Sequence, residues 1–315
     1  MDLALIGYGN VGRAFARLLE RKHSAYPFRI VGIHTARHGT AVDPKGLGPE
    51  PRFGPAAPSV EAFLDCARAE VAIEITPLDP ATSHIRAAFA RGMHVVTANK
   101  GPIAHAYSAL QNEARAAGVE FRFESTVMDG TPVFNLARHC LPGVQVLGFT
   151  GVLNSTSKIV VEAMCEGKTM EEGIAIAERM GIAEADASYD LEGWDSAAKT
   201  AALANVLMEA GMTPRAVERE GISRLTPERL RELAAQGKTV RLVSRAGRAQ
   251  DGVRASVRAE VLDRSSLLAS VPGTSNLLLI ETDLMGTVVT ASLNPGVDQT
   301  AYGLFSDLVD IASVA

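Results

Sequence analysis

Residues 3–12 constrain the fold of this chain more tightly than any other stretch. Leu3-Ala-Leu-Ile6 is a short apolar run of the kind buried on both faces of a parallel sheet. Gly7-Tyr-Gly-Asn-Val-Gly12 follows at once, and a helix then begins with Val11, Phe15, Leu18 and Leu19 on its apolar face. A strand that turns straight into a helix in this way needs Gly7 for the tight turn, Gly9 to leave backbone bare, and Gly12 for close helix–strand packing. Bare N–H groups at a helix start attract phosphate. Gly7, Gly9, Asn10, Val11 and Gly12 are therefore expected to hold the pyrophosphate of a dinucleotide.

The alternation continues downstream. A second strand spans Arg29 to Ile33 and runs into His34-Thr-Ala-Arg-His38. A carboxylate at that point would read the 2′-hydroxyl of NAD, whereas Arg37 suits a 2′-phosphate, so the expected cofactor is NADP, with NAD as the other choice. The plainer reading of Arg37 is an exposed loop arginine. Strands are expected at Val71–Ile75 and His94–Thr97 with a helix from Ser83 to Arg91 between them, a βαβ unit and hence a parallel sheet. Ligands in open α/β sheets lie at the carboxyl ends of strands, which puts Thr76, Asn99 and Lys100 at the cleft. Lys100 reads equally well as a solvated loop lysine. A strand at Glu120–Glu124 leads into Ser125–Pro132, the exit from this domain. The tail from Thr300 to Val314 carries helical apolar spacing and is expected to pack back on it.

In the second half a helix follows Pro132. Strands are expected at Val144–Leu153, Val240–Ser244, Val253–Leu262, Asn276–Thr282 and Val288–Ala291, and a helix opens at Thr226-Pro-Glu and closes at Gly237. The fold class is α/β: a Rossmann-type parallel-sheet nucleotide domain (1–130 with 296–315) plus an α+β substrate and dimerisation domain (131–295). An exposed sheet face of the latter suits a homodimer. Asn154-Ser-Thr-Ser157 either holds a substrate or makes a turn.

Ala183 to Lys199 is the second telling segment. Thr169-Met-Glu-Glu172 forms a capping box for a helix that Gly181 ends, and another helix starts near Gly193 or Trp194. Between and just inside them lie Glu184, Asp186, Asp190, Glu192 and Asp195, with Lys199 one turn after Asp195 on the same helix face. Such runs are commonly solvated. A substrate ammonium would give these acids another reason to be there.

A net charge of −5 and the lack of a basic run argue against nucleic acid. No run of 18 apolar residues and no signal-peptide pattern occurs, so no membrane partner is expected. Cys66, Cys140 and Cys165 lie far apart and fit no zinc spacing, which suggests buried free thiols in a reducing, cytoplasmic setting.

GYGNVG at 7–12, TANKGP at 97–102, ESTVMDGTPV at 124–133, GVLNSTS at 151–157 and AEADASYDLEGWDSAAK at 183–199 together resemble homoserine dehydrogenase, of the short form without a C-terminal regulatory domain. The resemblance implies reversible, NAD(P)-dependent oxidation of L-homoserine to L-aspartate 4-semialdehyde, in the reductive direction a step of threonine and methionine biosynthesis. It implies substrate contacts at Glu184 and Asp190, with Asn154 and Thr156 beside them, a catalytic pair Asp195 and Lys199, and a cleft lysine at Lys100. It further implies a sodium site built mainly from main-chain oxygens of Glu124, Val127, Asp129 and Thr131. The chain departs from the family pattern at Ser155 and Lys158, where glycine and asparagine are usual, and at Asn294–Thr300, where a glycine-rich segment is usual. These departures leave open a related dehydrogenase of another small amino or hydroxy acid.

Overall fold

Short apolar runs build the first sheet. In chain order the elements are β1 (Asp2–Ile6), α1 (Asn10–Lys22), β2 (Arg29–Thr35), β3 (Gly39–Val42), α2 (Val60–Ala67), β4 (Val71–Glu74), α3 (Ala81–Phe89), β5 (His94–Thr97), α4 (Lys100–Ala117) and β6 (Phe121–Arg122). The sheet order is β3-β2-β1-β4-β5-β6, parallel except for β3, which pairs antiparallel with β2. β1 lies between β2 and β4, so the strand order reverses beside it. The structure, a computed structural model, describes residues 1–77, 80–183 and 186–314.

The second half gives β7 (Val146–Val152), α5 (Ser155–Cys165), α6 (Met170–Arg179), α7 (Ser188–Leu191), α8 (Trp194–Met208), β8 (Glu218–Arg219), α9 (Pro227–Ala235), β9 (Lys238–Ala249), β10 (Gly252–Asp263), β11 (Asn276–Thr282), β12 (Gly286–Ser292) and finally α10 (Val297–Val314). Its sheet runs β12-β11-β7-β9-β10-β8 and is antiparallel apart from the short β8–β10 pair. Helices α5, α8 and α9 pack on β9. The chain divides into two units, Met1–Leu136 with Gly296–Ala315, and Ala137–Pro295.

Helix α10 belongs to the first unit. Ala301, Leu304, Phe305, Leu308 and Ile311 are buried in one core with Leu3, Leu5, Phe15, Leu19 and Val96. In the second unit the apolar faces of α5 and α8 (Val160, Met164, Leu203) and of β9 (Val240, Leu242) are buried.

Local chemistry explains where the elements differ from expectation. The strand expected at Glu120–Glu124 stops at Arg122, because the Glu124 N–H donates to Asp307 at 2.8 Å while its carboxylate accepts the N–H groups of Val133, Phe134 and Asn135. The helix expected after Pro132 is one π-turn, Leu136–Cys140. Helix α5 is unexpected: Lys-Ile-Val-Val is β-prone, but Asn154 accepts from the Ser157 N–H at 2.7 Å and starts a helix instead. The cysteines also differ, for Cys66 and Cys140 are exposed and Cys165 is half-buried, all as free thiols. Cys66 lies on the outer side of α2, whose buried face is Phe63, Leu64 and Ala67. Among the described residues no helix is long and apolar enough to cross a membrane.

Candidate active site

Within the first unit the candidate residues begin at the turn between β1 and α1. Gly7 has φ +102°, and a Cβ there would lie 2.8 Å from the Ile75 carbonyl oxygen. At Gly12 a Cβ would meet Ile75 and Tyr8 side chains at 3.0 and 3.1 Å. The backbone conformation and the Ile75 carbonyl therefore require glycine at position 7, while Gly12 fits tightly against two side chains. Gly9 is different: no described atom lies within 4 Å of its would-be Cβ. It is the N-cap of α1, makes no side-chain cap, and the first turn carries no acid. The exposed backbone of Gly9 and Asn10 leaves helix-end N–H groups available to an anion.

Beside this turn is a cavity of about 410 Å³ lined by Asn10, Arg13, Arg17 and residues Gly296 to Gln299. Arg13 and Arg17 are four apart on α1 and were not singled out from sequence. Their signal was the pair of cations one turn apart just after the glycines. Arg37 is exposed in the turn joining β2 to β3, which Thr35 fastens by accepting the His38 N–H at 2.8 Å.

Thr76 and Asn99 come together at the carboxyl ends of β4 and β5. The Asn99 amide donates to the Thr76 carbonyl at 3.0 Å, while its oxygen caps α4 by accepting the Gly101 N–H at 2.8 Å. Lys100 is the first residue of α4 and half-buried. Underneath is a group that sequence reasoning missed. Glu74, fully buried, accepts from both the backbone and the hydroxyl of Thr76 and from Thr97, with His84 Nδ1 at 3.5 Å. A glutamate ending an apolar strand was its only signal.

Within the second unit a cluster is built on α5, α7 and α8. Asn154 is 3% exposed and uses both ends of its amide. While its oxygen caps α5, its nitrogen donates to Asp190 at 2.6 Å and to Asp195 at 3.0 Å. Asp195 is ion-paired with Lys199 at 3.0 Å, and the Lys199 ammonium donates to the Leu153 carbonyl at 2.7 Å. Burial, and then the Asp195 charge, raise the Asp190 carboxyl above the usual range, against hydrogen bonds from Asn154 and Thr156 and the charge of Lys199. The charge of a cationic ligand would offset that rise.

Asn154, Thr156, Asp190, Asp195 and Lys199 thus form one cluster. Asp186 and Glu192 do not join it: both are exposed, one capping Ser188 and the other beside Arg219. Glu184 lies outside the described residues. Tyr189, also missed from sequence, is close enough for Asp190 and Asp195 to reinforce the upward shift that burial gives its hydroxyl. Arg219 stacks on Trp194 at 3.8 Å, at the start of α8.

Residues 132–309 match the family model for homoserine dehydrogenase, and residues 7–124 match the model for the homoserine dehydrogenase NAD-binding domain. The chain belongs to the homoserine dehydrogenase family. It is 35% identical to a homoserine dehydrogenase of Methanocaldococcus jannaschii, over 99% of this chain and 98% of that one. It is also 35% identical to an NAD(+)-dependent homoserine dehydrogenase of Pseudomonas canavaninivorans, over 98% of this chain and 95% of that one. Among solved structures, a homoserine dehydrogenase of Thermoplasma acidophilum superposes with a TM-score of 0.87 at 25% identity, covering 99% of each chain. A hyperthermophilic archaeal homoserine dehydrogenase in complex with NADPH superposes with a TM-score of 0.86 at 27% identity, covering 100% of this chain and 98% of that one. As a member of the homoserine dehydrogenase family the chain is an NAD(P)-dependent oxidoreductase.

Proposed function

We propose that this family member interconverts L-homoserine and L-aspartate 4-semialdehyde with NADP in preference to NAD, and that Lys199 handles the proton. The cluster of Asn154, Asp190, Asp195 and Lys199 carries this reading, because it pairs a lysine for the reacting oxygen with a buried carboxylate for an ammonium.

The nicotinamide cofactor supplies or takes the hydride when bound. The open backbone at Gly9, the unblocked start of α1 and the neighbouring Arg13 and Arg17 fit its pyrophosphate. Thr76, Asn99 and Lys100 stand at the strand ends, and Arg37 reads the 2′-phosphate. Asp190, and Glu184 with it, hold the substrate ammonium by charge-assisted hydrogen bonds worth about 1.5–3 kcal/mol each. As an ammonium, Lys199 polarises the aldehyde oxygen and gives it a proton; as a neutral amine it accepts the hydroxyl proton in the reverse direction. Asp195 orients it. Lys100 is the first unit's candidate for relaying the proton.

For a cation, the Glu124 carboxylate is committed to three N–H groups. A sodium ion at Glu124, Val127, Asp129 and Thr131 therefore relies on main-chain oxygens, which suit a hard ion. The α+β unit leaves apolar side chains exposed on its strands, Leu147 on β7, Val261 on β10 and Val289 on β12. It supports a homodimer of a cytoplasmic enzyme.

The test is reduction of NADP and of NAD by L-homoserine at about pH 9, where lysine deprotonation is favoured. Turnover that prefers NADP is expected. No turnover with NADP still bound would overturn the substrate assignment, and equal use of both cofactors would remove Arg37 from cofactor choice.

A further inference from the structure

Glu74 is a buried acid to which the chemistry proposed above gives no task. It is the last residue of β4 and 0% exposed. It stands in register with Ile6 of β1 on one side and with Thr97, the last residue of β5, on the other. The regular ladder of β1, β4 and β5 ends at this row. Beyond it the turns toward the cleft are held by side chains and single hydrogen bonds.

The Glu74 carboxylate takes hold of the turns after both β4 and β5. One oxygen accepts the Thr76 N–H at 3.2 Å and also the Thr76 hydroxyl. The other accepts the Thr97 hydroxyl at 3.1 Å, and the Thr97 oxygen in turn accepts the Asn99 N–H at 3.0 Å. Asn99 caps α4, whose first residue is Lys100, and its amide returns to the Thr76 carbonyl. On the β1 side the peptide joining Ile75 to Thr76 is what crowds Gly7: its oxygen and nitrogen would lie 2.8 and 3.2 Å from a Cβ there. His84 of α3 lies beside the carboxylate with Nδ1 at 3.5 Å, beyond a normal hydrogen bond. A carboxylate only accepts and so suits converging donors, whereas an amide in its place would turn its N–H groups toward groups that already donate. A buried donor without an acceptor is costly, so the geometry depends on the acid.

We propose that Glu74 is a positioning residue for the cofactor: one buried carboxylate sets the spacing between the Gly7 turn, on which the 75–76 peptide packs, and the start of α4 that carries Asn99 and Lys100. These residues all belong to the first unit. Glu74 lies beneath the surface the nucleotide meets and acts through Thr76 and Thr97. Without the carboxylate the two turns shift independently, and a nucleotide that spans them loses contacts on both. The 2′-phosphate is read elsewhere, at Arg37, so NADP and NAD are affected alike.

The inference rests on the placement of Thr76, Asn99 and Lys100 at the cofactor proposed above. NADPH and NADH binding by the full chain is to be titrated by fluorescence in the wild type, Glu74→Gln, Thr97→Val, Thr97→Ser and Lys100→Ala. Turnover of homoserine and thermal unfolding by circular dichroism are measured alongside, which separates loss of fold from loss of affinity. Glu74→Gln is expected to weaken both cofactors on the order of 10-fold or more and to keep their affinity ratio within about 2-fold. Thr97→Val keeps the shape without the hydroxyl and is expected to do the same, while Thr97→Ser keeps the hydroxyl and is expected to restore most of the affinity. Should Glu74→Gln not fold, the two Thr97 variants carry the comparison. Wild-type affinity in folded Glu74→Gln and Thr97→Val overturns the proposal, as does an equal loss in Thr97→Ser or a loss confined to NADPH. Lys100→Ala that alters neither cofactor affinity nor turnover removes the cleft placement itself, and the proposal with it.

Discussion

Replacing Lys158 by methionine makes a prediction about stability that does not depend on catalysis. Lys158 is 2% exposed, and burial is the main reason its pKa falls from 10.5 to about 8. Below about pH 8 the folded and unfolded chains both carry the proton at this site, so the folded state bears the full cost of burying the charge. Between about pH 8 and 10.5 the unfolded chain binds more proton than the folded one, and stability therefore rises with pH across that window. Full relief is on the order of 3 kcal/mol, and most of it falls between pH 7 and 10. Methionine has nothing to titrate. Urea unfolding of wild type and Lys158→Met, read by fluorescence of the lone Trp194 in the second unit, isolates the difference. Relative to the methionine protein, the wild type should gain on the order of 2–3 kcal/mol on going from pH 7 to pH 10. A gain under about 1 kcal/mol would mean that the ammonium keeps most of its hydration and that the burial argument is wrong.

Other substitutions probe the rest of the site. Lys199→Ala should lower turnover on the order of 100-fold or more and leave NADP affinity nearly intact by fluorescence titration; near-normal turnover would remove it from proton transfer. Arg37→Ala should weaken NADP roughly 10-fold or more with little change for NAD, and matching losses would refute 2′-phosphate recognition. Asn154→Asp keeps an α5 cap but cannot donate to Asp190 and Asp195, so KM for homoserine should change sharply while the unit stays folded. Asn154→Ala should in addition lose about 1 kcal/mol of stability in urea, and no difference in stability between the two variants would discount the cap.

The nucleotide unit was largely legible because its signals are local. The apolar run, the glycines and the helix that follows are adjacent in sequence, and a period change from strand to helix is readable at short range. The second unit was harder for stated physical reasons. Helix α5 was hidden by a β-branched run that only the Asn154 cap redirects. Strand β9, of 12 residues, was underestimated because Arg241, Arg245 and Arg248 interrupt the apolar pattern and yet lie in the sheet, held by Glu162, Glu260 and a main-chain carbonyl. The convergence of Asp190 and Asp195 on Asn154 spans 36 and 41 residues, a separation that no periodicity encodes. Motif resemblance pointed to these residues; only the fold displays the shared amide that binds them. Glu74 and Lys158 are buried charges, which burial statistics for their residue types argue against.

Helix α10 has a consequence for how the enzyme is made. The first unit begins at the start of the chain, but its core is completed by Ala301, Leu304, Leu308 and Ile311, and Glu124 and Asn135 are held by Asp307. Synthesis from the N-terminus therefore exposes a nucleotide-binding sheet that stays unfinished until α10 has been made. Meanwhile the unit formed by residues 137–295 has all its strands available earlier. The segment made before the second unit is closed after it, and a fragment ending at residue 136 would present an open apolar groove to chaperones and to itself.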